Sequence, residues 1–318
     1  MKKYMPLLIG LLLLIASSAW SQSSAVEYFQ AIKTISDAVV TKNVELLQYA
    51  VHKDNPMEIE TKRLEVFQVI IKGQQEAKAM KPLPTDPGLL RELNTIMDLY
   101  IESVQRDFMQ LLELKLESDN SYEAMQRYLD SQNALEKKMQ EANERFAKAQ
   151  EAFAKANQIT LLENVQNKEI ETLNRMQRYQ RAVFLKFFKV SKLNANFLDL
   201  LDANDPAVLE KARRELLGIS QSELKSLRAM PDFNGYGGYR DAAVRFVDFF
   251  REMAEKEYAN MTDVVRRGAQ TQQDVDNYNN AIQKYNETAS RLHNELNNAL
   301  QELRQRNVSR PDDMIKKI

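Results

Sequence analysis

Asn55-Pro56-Met57-Glu58 and Asp205-Pro206-Ala207-Val208 open in the same way, with a short polar residue followed by proline. Proline suits the first helical position because its missing N–H has no intrahelical partner there, and Asn or Asp accepts bonds from the amides that follow. The two tetrads lie 150 residues apart (205 less 55), and other marks keep that spacing. Ala79-Met80 is matched by Ala229-Met230, Gly88 by Gly238, and Asp98 and Glu102 by Asp248 and Glu252. Ser121 is matched by Thr271, Tyr128 by Tyr278, and Asn157 by Asn307. Caps, breakers and apolar positions that hold one offset predict two copies of one helical unit.

Working outward from the prolines, copy one is expected to contain four helices. The first, over about 25–51, carries Tyr28, Ile32, Ile35, Val39 and Leu46 on one stripe. The second starts at Asn55-Pro56, with Glu58 placed to reach back to the cap, and ends near Met80. A turn through Pro82, Pro84, Pro87 and Gly88 leads to a third helix over 89–117, and Asp119-Asn120-Ser121 breaks the chain before a fourth. Copy two repeats the plan over about 168–201, 206–230, 239–267 and 272–306, with Thr271 and Asp274 capping the last helix. Amphipathic helices joined by short turns close as an antiparallel bundle around one apolar core. The expected fold class is all-α: two tandem antiparallel four-helix bundles from an internal duplication, at 22–157 and 168–307. A linker at 158–167 joins them and a short tail follows at 308–318.

Residues 1–21 are set apart. Lys2 and Lys3 precede an apolar run over 7–15, and Ala19 and Ser21 stand at the positions expected before a cut ahead of Gln22. This is the layout of a signal peptide, and its apolar run is too short for an ordinary membrane span. The expected product is an exported chain with no transmembrane segment after cleavage. The 318 residues include no cysteine, which excludes disulfides, thiolate metal sites and cysteine nucleophiles. A formal net charge of −1 gives no bias toward nucleic acid. Only 8 glycines and 8 prolines argue for long helices over disorder.

Metal and haem chemistry find little support. The histidines are His52 and His293, and Tyr49 and Ser290 occupy the positions where a di-iron bundle would need glutamate. No cofactor or metal is therefore expected. Asp98 with Glu102, and Asp248 with Glu252, place two carboxylates on one helix face, which fits either a cation grip or, as the simpler reading, a solvated face. No nucleophile elbow, zinc-binding His-Glu-x-x-His, phosphate loop or dinucleotide fingerprint is present, so no enzyme activity is expected.

Two candidate partner-binding surfaces remain. The first helix of copy two has no acid over 172–198 but carries Arg175, Arg178, Arg181, Lys186, Lys189 and Lys192. At helical spacing these six fall within about a 140° arc, opposite Leu173, Met176, Val183 and Phe187. Such a stripe can hold an anionic envelope component or an acidic protein partner, or it can simply be the polar side of a bundle helix. The loop at 233–239 holds Phe233, Tyr236 and Tyr239 among three glycines. It reads either as a recognition loop or as a turn whose aromatics cover the end of the core, and the turn is the simpler reading.

The leader at 1–21, the absence of cysteine and the duplicated long-helix plan resemble uncharacterised exported α-helical surface or periplasmic proteins of Gram-negative bacteria. That resemblance implies an envelope location, either periplasmic or at the cell surface, and no particular activity. The functional expectation is an exported, non-enzymatic interaction or structural protein. The alternative is a small-ligand-binding or sensory bundle with a pocket between its helices.

Overall fold

A computed structural model describes residues 5–52, 56–161 and 165–308, and the side chains of 24–49, 57–161 and 170–308. Asn55 and His52 lie outside the described side chains, as does the tail beyond 308. The helices are α1 (Met5–His52), α2 (Pro56–Ala79), α3 (Leu89–Glu102), α4 (Phe108–Ser118), α5 (Tyr122–Ala156), α6 (Val165–Asp199), α7 (Pro206–Arg228), α8 (Gly238–Glu255), α9 (Glu257–Arg267) and α10 (Gln272–Asn307). A π-helical turn (Ser103–Asp107) joins α3 to α4, and a 3₁₀ turn (Leu200–Ala203) follows α6. Among the described residues the protein is all-helical. The bridge between Phe233 and Tyr236 is isolated. No described helix is long and apolar enough to cross a membrane.

The chain forms two compact units. One draws on 1–112 and 131–171, the other on 113–130 and 172–314. The sequence places 113–130 with the first four helices. The structure groups this end of the α4–α5 hairpin with α6 to α10.

In the N-terminal unit, Ile32, Ile35 and Val39 of α1 are buried with Val66 and Ile70 of α2, Leu93 and Met97 of α3, and Phe146 and Phe153 of α5. Gly73 permits the close approach of α1, since a Cβ there would meet the Ile35 methyl at 3.0 Å. The turn before α3 is tied down by Asp86. Its carboxylate accepts from the amides of Gly88 at 2.8 Å, Leu89 at 2.6 Å and Leu90 at 3.1 Å. It also accepts from the Tyr28 hydroxyl at 2.7 Å. One carboxylate thus satisfies the free N–H groups of the helix start and fixes it to α1.

In the C-terminal unit, Leu173, Met176, Val183 and Val190 of α6 are buried, as are Leu209 and Leu216 of α7, Phe246 and Phe250 of α8, and Leu292 and Leu303 of α10. Phe187 contacts Phe246 with ring centroids 4.8 Å apart. Asn194, only 1% exposed, accepts at 2.8 Å from the buried Tyr258 hydroxyl, which satisfies two polar groups taken from water.

Local details recur at residues 150 apart. Met80 N donates to Ala77 O as Met230 N does to Leu227 O, and Asp86 N donates to Leu83 O as Tyr236 N does to Phe233 O. Lys78 pairs with Asp98 at 3.2 Å, and Arg228 with Asp248 at 3.4 Å. Asn157 donates to Phe153 O at 2.9 Å, and Asn307 to Leu303 O at 2.8 Å. Buried residues correspond as Val66 with Leu216, Leu93 with Ala243, Ile96 with Phe246, Phe146 with Leu296 and Phe153 with Leu303. The π turn at Ser103–Asp107 is matched by the break at Lys256, where α8 gives way to α9. In α1 and α6 the correspondence shifts by one residue, pairing Ile32 with Val183 and Val39 with Val190. A 3₁₀ turn, Leu200–Ala203, follows α6, and such a turn rises about 2.0 Å per residue against about 1.5 Å in an α-helix.

Candidate functional site

The basic residues of α6 meet partners within their own unit. Lys186 and Lys189 both lie 3.4 Å from the Glu223 carboxylate on α7. The Glu223 side chain is only 12% exposed, so it needs positive charge beside it. Lys189 also sits 5.2 Å over the Tyr122 ring, and Lys192 sits 5.3 Å over Phe188. Lys192 donates to the carbonyl of Asp119, just past the end of α4. A cation there satisfies a carbonyl where the helix dipole is negative. Arg175 donates to Asn234 Oδ1 at 3.2 Å and stacks 5.6 Å over Phe233. Arg178 and Arg181 are engaged as well. The charge of Arg181 reaches Tyr128 of α5, although burial dominates there and raises the Tyr128 hydroxyl. The stripe is therefore a seam holding 113–130, α7 and the 233–239 loop. It needs no acid of its own because aromatic faces, carbonyls and one distant glutamate supply its partners.

The loop at 233–239 folds back on the core. Phe233 is 7% exposed and Tyr239 2%, so two of the three candidate aromatics are interior residues. Phe233 packs on Tyr179 with centroids 5.4 Å apart. Phe233 and Tyr236 exchange backbone bonds at 3.1 and 2.9 Å across Asn234 and Gly235, which take φ of 48° and 78°. Positive φ at both central positions is the reason for Asn-Gly in this turn. Tyr236 is half-buried. It donates to Glu302 at 3.0 Å and lies under Arg306 at 4.8 Å, and burial with the Glu302 charge pushes its hydroxyl up to about 12. A Cβ on Gly238 would collide with the Tyr236 hydroxyl, so the glycine lets that ring sit where it does. Burial also raises the Tyr239 hydroxyl well above its ordinary value.

The two acid pairs lie among cations. Asp98 is bonded to Gln74 and paired with Lys78. Glu102 is paired with Arg106 and, at 3.9 Å, with Lys138. Arg251 lies 2.6 Å from Asp248 and 3.5 Å from Glu252. These are ion-paired helix faces. Among the described residues no three His, Cys, Asp or Glu side chains come together to hold a metal. His293 is exposed.

Other clusters were not legible in advance. Glu210 accepts from Arg213 at 2.7 and 2.9 Å and from Arg214 at 2.5 Å. These guanidinium bonds pull its carboxyl down to about 2. Arg213 also donates to the Ala254 carbonyl near the end of α8, at 2.9 Å. Glu-x-x-Arg is common on helix surfaces, so spacing alone does not single out this contact. Open depressions of about 550 and 300 Å³ lie at the starts of α7 and α3, and their linings include Glu210, Lys211, Arg214 and Arg266 in the first and Arg91, Glu92, Arg145 and Lys148 in the second. Comparison with protein families, with curated proteins and with solved structures found no match.

Proposed function

We propose that the chain is an exported, non-enzymatic interaction or structural protein of the bacterial envelope, built by duplication of an antiparallel four-helix bundle. The observation that carries this reading is the recurrence of structural detail. Turn bonds, an interhelix ion pair, an asparagine bond to the preceding turn and buried positions all return 150 residues later. What the halves share is scaffold. The strongly shifted Glu210 is held by Arg213 and Arg214, the first of which also reaches from α7 to α8, and the raised tyrosines Tyr236, Tyr239 and Tyr258 cover or fill the core.

The outer helices of the chain differ from their counterparts in the character of one face. Phe184 and Phe188 of α6 stack with centroids 5.4 Å apart, while the matching α1 positions carry the ion pair Lys33–Asp37. Met125 and Leu129 of α5 are buried at 3% and 6%, whereas Val275 of α10 is 41% exposed and Asn279 is polar. Polar residues on the outer faces are what terminal repeats need for solubility.

On this reading the seam of α6 serves the fold first. An anionic envelope partner would add to contacts that Lys186 and Lys189 already make. The deciding experiment recovers the chain from cells, sequences its N-terminus and probes envelope extracts with the immobilised mature protein. A first residue of Gln22, an envelope location and saturable retention of a defined component support the proposal. An uncut leader in the cytosol, or turnover of a small molecule by the purified chain, overturns it.

A further inference from the structure

Asn234-Gly235 is the one Asn-Gly pair in the chain, and both residues are exposed. The structure assigns this pair a covalent role: we propose that Asn234 is a self-modification site, converting to aspartate and isoaspartate by attack of the Gly235 amide nitrogen, with Arg175 stabilising the developing charge.

Three observations carry this assignment. The glycine is open on its side-chain face, since a Cβ placed on Gly235 would find no heavy atom within 4 Å, and both residues of the pair are exposed. Glycine removes the side chain that normally obstructs the attacking nitrogen. That nitrogen is also outside the turn's reciprocal bonds, which use the amides of Phe233 and Tyr236. Finally, the electrophile is polarised. Arg175 Nη2 donates to Asn234 Oδ1 at 3.2 Å, the oxygen that becomes negative when the nitrogen adds to Cγ. A fixed donor aimed at developing charge lowers the barrier to acyl transfer. The leaving nitrogen Nδ2 is held by Asn307 Oδ1 at 2.8 Å.

The step balances without any redox partner. The Gly235 nitrogen loses its proton and bonds to Cγ, the Cγ–Nδ2 bond breaks, and Nδ2 leaves as ammonia with that proton. The product is a five-membered succinimide. Solvent water then adds to either ring carbonyl. One opening gives aspartate, and the other routes the main chain through Cβ and Cγ to give isoaspartate. The net change is one water consumed and one ammonia released.

The two products act differently on the loop. Aspartate places a full negative charge against Arg175 and leaves the backbone unchanged. Isoaspartate lengthens the turn by one carbon, so the paired Phe233–Tyr236 bonds of 3.1 and 2.9 Å cannot both persist. Phe233 then loses its fixed seat against Tyr179 and Arg175.

The test incubates the purified full chain in mildly alkaline buffer and follows the loop by peptide mass mapping, with isoaspartyl methyltransferase labelling to separate the products. A gain of one mass unit at Asn234 is expected roughly tenfold faster than at exposed Asn120, whose neighbour is serine rather than glycine. Arg175→Gln is expected to slow conversion several-fold with unchanged helix content, and Asn234→Gln to abolish it. Conversion in the denatured chain but not in the folded one overturns the proposal. Equal rates for the wild type and Arg175→Gln overturn the role of Arg175.

Discussion

Glu210 shows how much one side chain organises. Its two oxygens receive two arginines, and one of these, Arg213, extends to a carbonyl of α8. The sign of its pH effect follows from the direction of the shift. The folded carboxyl titrates at about 2 against an ordinary 4.5, so its stabilisation is complete above 4.5 and is lost as pH falls toward 2. Glu210→Gln is therefore expected to lower the melting temperature at neutral pH and to match the wild type near pH 2. Thermal melts across that range check it, and a constant difference at all pH values would show that packing, not charge, is responsible.

At the level of helices, α6 carries the largest difference between sequence and structure. Its apolar stripe was legible because period and burial agree at Leu173, Met176, Val183 and Phe187. The use of its basic side was not, because its partners are an aromatic ring, a carbonyl and a glutamate on another helix, and none of these leaves a mark at fixed spacing. Replacing Lys186 and Lys189 by glutamine strips Glu223 of both cations. The expected cost is roughly 1 kcal/mol, since both lysines keep some solvent. Adding Glu223→Gln is expected to recover most of it in denaturant unfolding. Full stability in the double variant would mean that the seam contributes nothing. The third helices taught the opposite lesson. Their interruptions at Ser103–Asp107 and Lys256 contain neither proline nor glycine. At the first, Asp107 meets Lys138 at 2.9 Å and Ser103 at 3.2 Å, contacts that a hydrophobic pattern does not reveal.

For the whole molecule, matched positions should respond in parallel. Phe153 and Leu303 are each 0% exposed and each anchors a fourth helix near its end. Phe153→Ala is expected to cost about 3–5 kcal/mol and Leu303→Ala about 2–5 kcal/mol, through lost burial and a residual cavity. Calorimetry on the two single variants checks this, and a silent substitution at either site would break the correspondence. The caps and proline starts made most of this architecture readable. The allotment of 113–130 escaped because a repeat read from spacing shows where elements begin but not which neighbour they join.

That allotment bears on how the gene can be dissected. A fragment cut at the repeat boundaries, 168–308, would keep a full set of helices yet lose the segment that Lys189 and Lys192 grip. It is expected to melt below the intact chain and to be stabilised, saturably, by a separate 113–130 hairpin peptide. No effect of the peptide on the melt would show that α6 does not depend on it. The two halves carry like marks 150 residues apart yet are not interchangeable parts. The second half takes in a piece that precedes it in the chain, so a cut where the marks recur parts α6 from the residues it grips.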